Sequence, residues 1–328
     1  MDVLLLGHDE VNALLPMEEC IPLMREALVS LAEGQVYQPL RFIVRPPDAG
    51  GVMGLMPAYS NGARPAFGLK AICVFPGNPA RGKDAHQGAV LLFSAESGEL
   101  LAVVNASAVT AVRTAAVSGV ATRALAREDA GDLAVIGAGV QARAHIEAMT
   151  HVRPVRRCRV AARRIESAHR LVGELKGSYT FPVEVVETVE AALRGADLIV
   201  TATNAAEPFV RREWVSEGAH LNAVGSCTPH TRELDAATVA ASSLFVDSVE
   251  STVNEAGDYL QALREGVVGP EHIRAELGEV LKGIKPGRTS VHEITLFKSL
   301  GLAVEDLAVA EYLYRKAKET GAGTWVRF

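Results

Sequence analysis

From residue 133 to residue 248 the chain repeats one pattern: short, uninterrupted apolar runs separated, for the most part, by helix-like stretches. The runs are LAVIG (133–137), RVAA (159–162), VEVVE (183–187), DLIVTAT (197–203), HLNAVG (220–225) and SLFVDS (243–248). A strand that is apolar at nearly every position has both faces buried, and a parallel sheet covered by helices on each side provides that environment. Six such runs suffice for the two βαβαβ halves of a doubly wound sheet. No other feature of the sequence narrows the fold as far.

The first run leads directly into Gly137-Ala138-Gly139-Val140-Gln141-Ala142, a GxGxxA loop that opens an alanine-rich helix. Strand before and helix after is the context in which this spacing carries meaning. Gly137 permits the tight turn, Gly139 lets the backbone approach a pyrophosphate, and small Ala142 allows close helix–strand packing. The helix N-terminus adds unpaired N–H groups and a positive dipole end. The alternative is a glycine turn that merely links strand to helix. The second run ends in Ala161-Ala162-Arg163-Arg164, where an NAD site usually carries an acid for the ribose diol. Two arginines suit a 2′-phosphate instead, through forked charge-assisted hydrogen bonds; a solvated basic loop is the other reading. The expected cofactor is therefore NADPH, with NADH also admitted.

Upstream the texture differs. Residues 17–33 place apolar side chains at helical spacing, and between about 37 and 104 short β-like runs alternate with Gly, Pro and Asn. Glu96-Ser97-Gly98 reads as a hairpin turn, and 107–127 as a helix of small residues. The tail from 291, VHEITLFKSLGLAVEDLAVAEYLYRKAKE, reads as two helices that return to the N-terminal region. The expected fold class is thus α/β, a Rossmann sheet over residues 119–302 plus a discontinuous α+β substrate and dimerisation domain over 1–118 and 303–328. A length of 328 residues suits two domains.

Charge and cysteine usage exclude several functions. Thirty-three Lys and Arg against 39 Asp and Glu give a net charge of −6, which leaves no surplus to neutralise a nucleic-acid backbone. The four cysteines, Cys20, Cys73, Cys158 and Cys227, form no CxxC pair and read as thiols of a reducing compartment. No metal is expected, because neither HExxH nor a Cys/His cluster is present. No run of about 18 apolar residues is free of polar interruption. Asp2 and Asp9 interrupt the start before a secretory segment could form. These features predict a cytoplasmic protein acting on a small molecule.

Three charged residues stand out against apolar surroundings. Lys70 lies in AFGLKAICVF, on one strand face with Ile72 and Val74; a buried lysine has a lowered pKa and can donate a proton, whereas a snorkelling head is the plainer reading. Arg113-Thr114 sits inside the small-residue helix, so the cation needs a cofactor phosphate, a substrate carboxylate or a structural ion pair. Arg41, in the first β-like run, is either a carboxylate clamp or a strand-edge arginine.

Taken together these stretches resemble the ornithine cyclodeaminase/mu-crystallin family over nearly the whole chain. The resemblance is carried by GLKAICVFPGN (68–78), HQG with the hairpin ESGELLAVVNA (86–106), TAVRTAAVS (110–118), AVIGAGVQA (134–142), LNAVGSCTPHTRELD (221–235), DSVESTVNEAGD (247–258) and ITLFKSLGLAVEDL (294–307). The last three are closer to the mu-crystallin branch, whose members reduce cyclic ketimines. The resemblance implies that Arg41, Lys70 and Arg113 surround the substrate, with Glu255 orienting it or a proton-relay water. It implies that Arg113-Thr114 and the 137–142 loop hold the cofactor diphosphate. Thr201, Ala202, Thr203 and Val224 would line the nicotinamide, and Ser299 and Gly301 would close over its ring. It also implies a homodimer.

One departure matters. Ornithine-cyclising members carry a catalytic aspartate where this chain has Cys227, two residues before Pro229. A thiol does not supply that anionic acceptor at neutral pH unless its pKa is strongly depressed. The expected activity is NAD(P)H-dependent reduction of a small cyclic imino acid, such as Δ1-pyrroline-2-carboxylate or Δ1-piperideine-2-carboxylate. Alanine dehydrogenase, ornithine or lysine cyclodeaminase and a non-catalytic small-ligand binder are the alternatives.

Overall fold

The computed structural model describes residues 2–62 and 64–328. They form two eight-stranded sheets, and the chain divides into two compact units, Met1–Arg113 with Gly301–Phe328, and Thr114–Leu300. The boundaries read from sequence were 118/119 and 302/303.

In the second unit every strand pairing is parallel. The order across the sheet is Val183–Val185, Arg157–Ala161, Asp132–Ile136, Leu198–Thr201, His220–Ala223, Ile294–Lys298, Ser242–Val246 and Ile273–Glu276. The first strand in sequence, Asp132–Ile136, has later strands on both sides, so the chain reverses its winding beside it. Most strand residues are fully buried, which is why the runs lack polar alternation.

Two strands depart from the expectation. Ile294–Lys298 is a strand inserted between the fifth and sixth runs, not part of a helix, and Ile273–Glu276 adds an edge. All five residues of Ile294–Lys298 are buried. A short apolar run buried on both faces carries no period of two, so its pattern merges with that of the helix beyond it. That helix spans Ala303–Thr320 and ends on Gly321, whose φ of 71° closes it in the left-handed region.

The first unit is a largely antiparallel sheet. Its order is Thr324–Arg327, Asp2–Leu6, Leu100–Asn105, His86–Ser94, Ala66–Val74, Val52–Ser60 and Val36–Tyr37, with Phe42–Val44 also on Val52–Ser60. The expected hairpin joins His86–Ser94 to Leu100–Asn105, with Gly98 at a φ of 74°. One face is covered by the helix Ala303–Thr320, which also packs on the helix Met17–Ala32. Gly68 permits the approach: a Cβ there would lie 3.0 Å from the Leu307 side chain. Its strand alternates, burying Ala66, Gly68, Lys70 and Ile72 on the covered face.

Candidate active site

The residues expected to hold a cofactor lie at one edge of the parallel sheet. Gly137 follows Asp132–Ile136, Arg163 follows Arg157–Ala161, Thr201–Thr203 ends or follows Leu198–Thr201, Val224 follows His220–Ala223, and Ser299 follows Ile294–Lys298. All are at the carboxyl ends of their strands, where open α/β sheets bind ligands. Gly137 adopts a φ of 128°, its N–H donates to Ala161 O at 2.9 Å, and a Cβ on it would stand 2.5 Å from Ala202 O. Gly139 is the N-cap of the helix Val140–Thr150, with no side-chain cap on the first turn. A Cβ at Gly139 would meet nothing within 4 Å, whereas Ala142 is fully buried against the sheet.

Other members of the set differ in exposure. Ala138 and Gln141 are half-buried and Val140 is exposed. Arg163 and Arg164 are exposed, the latter as N-cap of the helix Ile165–Glu174. Thr114 Oγ1 and Ser299 Oγ are buried and have no hydrogen-bond partner among the described residues. Such hydroxyls are costly unless a ligand or water satisfies them. Glu255 closes the helix Val249–Glu255 and is half-buried.

A buried carboxylate that sequence reasoning missed organises this edge. Glu233 accepts from Thr201 Oγ1 at 2.7 Å and from Thr203 N, Thr203 Oγ1 and Gly225 N at 2.8 Å each. Burial, followed by the charge of Asp258, pushes its carboxyl up from the usual range. Asp258 caps Glu233 N and Leu234 N and pairs with Lys298 at 2.9 Å. Burial opposes the Lys298 charge, but Asp258, Cys227 and Glu233 outweigh it and its pKa rises. Cys227 itself is half-buried, and its thiol donates to Val224 O at 3.6 Å.

In the first unit, Lys70 and Arg113 come together in one buried cluster. Lys70 Nζ lies 3.0 Å from Asp306 Oδ1, and the same oxygen accepts from Arg113 Nε at 3.2 Å. Arg113 Nη1 donates to Glu305 Oε2 at 2.6 Å. All four side chains are at most 5% exposed. The ion pair that Arg113 required is thus supplied by two acids of the first turn of Ala303–Thr320, whose positive dipole end favours carboxylates. Burial lowers Lys70 from 10.5 to about 8, against the pull of Asp306. Desolvation, then the charges of Lys70 and Arg113, also lowers His86. Arg41, which precedes the strand Phe42–Val44, donates to Gly301 O at 3.0 Å. Gly301 has a φ of 80°, and a Cβ there would meet the Arg113 guanidinium at 2.5 Å. The two acids were missed because Arg113 and Asp306 are 193 residues apart. Their only sequence signal is a pair of acids within the apolar run LGLAVEDLAVA.

Among the described residues no group of three or more His, Cys, Asp or Glu could hold a metal, and no helix is long and apolar enough to cross a membrane.

Comparison with known proteins agrees with these features. Residues 1–321 match the ornithine cyclodeaminase/mu-crystallin family. The chain is 38% identical over 327 residues to a Δ1-pyrroline-2-carboxylate reductase of Bacillus cereus, covering 99% of this chain and 100% of the relative. It is 40% identical over 297 residues to the ketimine reductase mu-crystallin of Mus musculus, covering 90% of each. The solved Δ1-pyrroline-2-carboxylate reductase of Thermococcus litoralis, in complex with NADH and L-proline, superposes with a TM-score of 0.96 at 38% identity, covering 98% of this chain and 100% of that one. A family match over residues 1–321 and a relative 38% identical over 327 residues show that the chain belongs to the ornithine cyclodeaminase/mu-crystallin family.

Proposed function

We propose that the protein is an NAD(P)H-dependent reductase of small cyclic imino acids, with Δ1-pyrroline-2-carboxylate as the leading substrate and Δ1-piperideine-2-carboxylate as the next. The observation that carries this reading is the full-length similarity to a reductase solved with NADH and L-proline, the product of pyrroline reduction.

The residues present fit a dinucleotide. Open space over Gly139, the uncapped first turn of Val140–Thr150 and the buried hydroxyls of Thr114 and Ser299 suit a diphosphate and its attached groups. When bound, a reduced nicotinamide supplies the hydride that the imine carbon accepts. Thr201, Ala202, Thr203 and Val224 are assigned to its nicotinamide end, where Glu233 fixes the two threonines. Ser299 and Gly301 are assigned to the ring, and Arg163 with Arg164 to a 2′-phosphate, which favours NADPH.

Arg41 and Arg113 are assigned to the substrate carboxylate, fixing the imine so that reaction is effectively unimolecular. Lys70 is assigned as proton donor to the imine nitrogen. Its pKa of about 8 keeps it mostly protonated at neutral pH yet able to release the proton, as general acid catalysis requires. Glu255 is assigned to orienting the substrate or a water. The Cys227 thiol acts as a hydrogen-bond donor to a carbonyl and offers no carboxylate to a substrate amine, which disfavours ornithine cyclisation.

The same reading includes a homodimer built on the first unit's sheet. The face opposite Lys70 is apolar across its strands, with Met53, Leu55, Pro57 and Tyr59 beside Cys73, Ala71, Leu69 and Phe67. Tyr37, Phe42 and Phe67 are 73%, 63% and 48% exposed in a single chain. An apolar surface of this kind calls for a partner.

The test is a substrate panel: pyrroline and piperideine carboxylates or pyruvate with ammonia, each with NADPH or NADH, and ornithine or lysine with NAD. Fastest cofactor oxidation with a cyclic imino acid supports the reading. Preference for pyruvate with ammonia, or cofactor binding without turnover on any of them, overturns it.

A further inference from the structure

We propose that Asp306 is a positioning residue for the reduction: it orients the Lys70 ammonium and keeps its proton available for the substrate nitrogen. This rests on the reading of Lys70 as proton donor.

The geometry singles out Asp306 among the acids of the chain. It is 1% exposed and its Oδ1 is 3.0 Å from Lys70 Nζ and 3.2 Å from Arg113 Nε. One oxygen therefore joins the assigned proton donor to an assigned carboxylate-binding arginine. Asp306 Oδ2 is buried and has no hydrogen-bond partner among the described residues, so its anchoring bonds all run through that shared oxygen. The carboxylate is held by fold, not by a flexible stem. It belongs to the first turn of Ala303–Thr320, and the next residue, Leu307, abuts Gly68, two residues before Lys70 on the strand. A side chain at 68 would push the helix, and Asp306 with it, away from Lys70.

The charges around Lys70 can be enumerated. Asp306 and Glu305 face it from the helix Ala303–Thr320, Arg113 from the helix Ala106–Leu125, and His86, with Asp84 near it, from the adjoining strand His86–Ser94. Cys20, on the helix Met17–Ala32, is neutral, because burial pushes its thiol well up. Lys70 and Arg113 against Glu305 and Asp306 sum to zero while Lys70 is protonated. In the reduction the imine takes up one hydride and one proton; the Lys70 N–H bond breaks with its electron pair left on Nζ, and the cluster becomes −1. That charge draws a proton back from water and resets the lysine. Burial and, more weakly, the Arg113 charge disfavour the ammonium, and the Asp306 carboxylate is the largest influence that opposes them.

The experiment compares wild type with Asp306→Asn, which keeps the shape and removes the charge. Wild-type kcat/KM for the imino acid should fall as pH rises through about 8. In Asp306→Asn that limb should move down by at least about one pH unit, an approximately tenfold loss of the protonated donor at a fixed pH above it. Cofactor affinity should stay within about twofold, and Asp306→Glu should hold the limb near its wild-type position while lowering kcat. The Lys70 ionisation is read separately by carbon NMR of full-length protein labelled at the lysine ε-carbon, with the signal assigned by its loss in Lys70→Met. A parallel downward shift of that titration in Asp306→Asn supports the proposal even if no imine is turned over, in which case only the assigned reaction fails. An unchanged titration midpoint, or an unchanged pH limb, overturns it. If Asp306→Asn does not fold, Asp306→Glu decides: undiminished kcat with that longer side chain overturns the positioning role.

Discussion

Two glycines of the same loop should respond in opposite ways to one added methyl group. Gly139 has φ −96° and ψ −169°, a conformation open to alanine, and its Cβ would meet no atom within 4 Å. Gly139→Ala should therefore leave the stability of the cofactor-free protein within about 0.5 kcal/mol of wild type, the loss of unfolded-chain freedom even favouring it slightly. The methyl group would occupy the space proposed for the diphosphate and push it off the first-turn amides. Loss of one charge-assisted hydrogen bond costs about 1.5–3 kcal/mol, so affinity should fall roughly 10- to 150-fold. Gly137 is the converse case. Its φ of 128° costs an alanine about 1–2 kcal/mol, and overlap with Ala202 O at 2.5 Å adds about 1–3 more. Gly137→Ala should thus lose roughly 2–5 kcal/mol before any cofactor is present. Chemical denaturation of the cofactor-free variants and fluorescence titration with NADPH separate the two effects. Wild-type cofactor affinity in Gly139→Ala would refute the placement of the diphosphate over this loop.

Three further outcomes follow from other parts of the molecule. Arg163→Ala should weaken NADPH binding about 5- to 30-fold while leaving NADH nearly unchanged, with higher salt acting in the same direction; equal kcat/KM for both cofactors in wild type would return Arg163 and Arg164 to a solvated loop. Glu233→Ala should destabilise the protein by about 3–5 kcal/mol, since it strands the buried Thr201, Thr203 and Gly225 donors and removes a negative charge that supports the Lys298 ammonium; a denaturation midpoint near wild type would contradict the organising role of this carboxylate. Sedimentation at micromolar concentration should give a dimer, and Phe42→Asp should shift it toward monomer; a monomeric wild type would remove the proposed use of the apolar sheet face.

Much of this fold is legible in the sequence, for physical reasons that differ from element to element. Five of the six runs are legible as parallel strands because burial on both faces leaves them mostly apolar, while the third, VEVVE, is an edge strand with Glu184 exposed; the glycine loop is legible because the strand before it and the helix after it are local. Lys70 could be placed on a buried face because its strand alternates strictly against the covering helix. Ile294–Lys298 reads from sequence as the first of two helices because all five residues are buried: Thr295 and Lys298 lie inside with the apolar side chains, so no solvent face marks a period of two. The Lys70–Asp306–Arg113–Glu305 cluster was half-visible. The cations announced a need for partners, but which acids answered depended on a long-range packing contact at Gly68 that no local pattern encodes. Glu233 was hidden in the same way: nothing in HTRELD distinguishes a buried acid from the solvated charges beside it.

The central claim is that hydride passes from a nicotinamide to the carbon of a cyclic imine. Reduced cofactor carrying deuterium at the transferring C4 position, mixed with Δ1-pyrroline-2-carboxylate and the full-length protein, tests this without reference to rate. The product analysed by mass spectrometry and NMR should be proline with one deuterium at Cα for each cofactor oxidised, and Lys70→Met should form none above background. Cofactor oxidation without proline, or proline with no deuterium at Cα, would contradict the account.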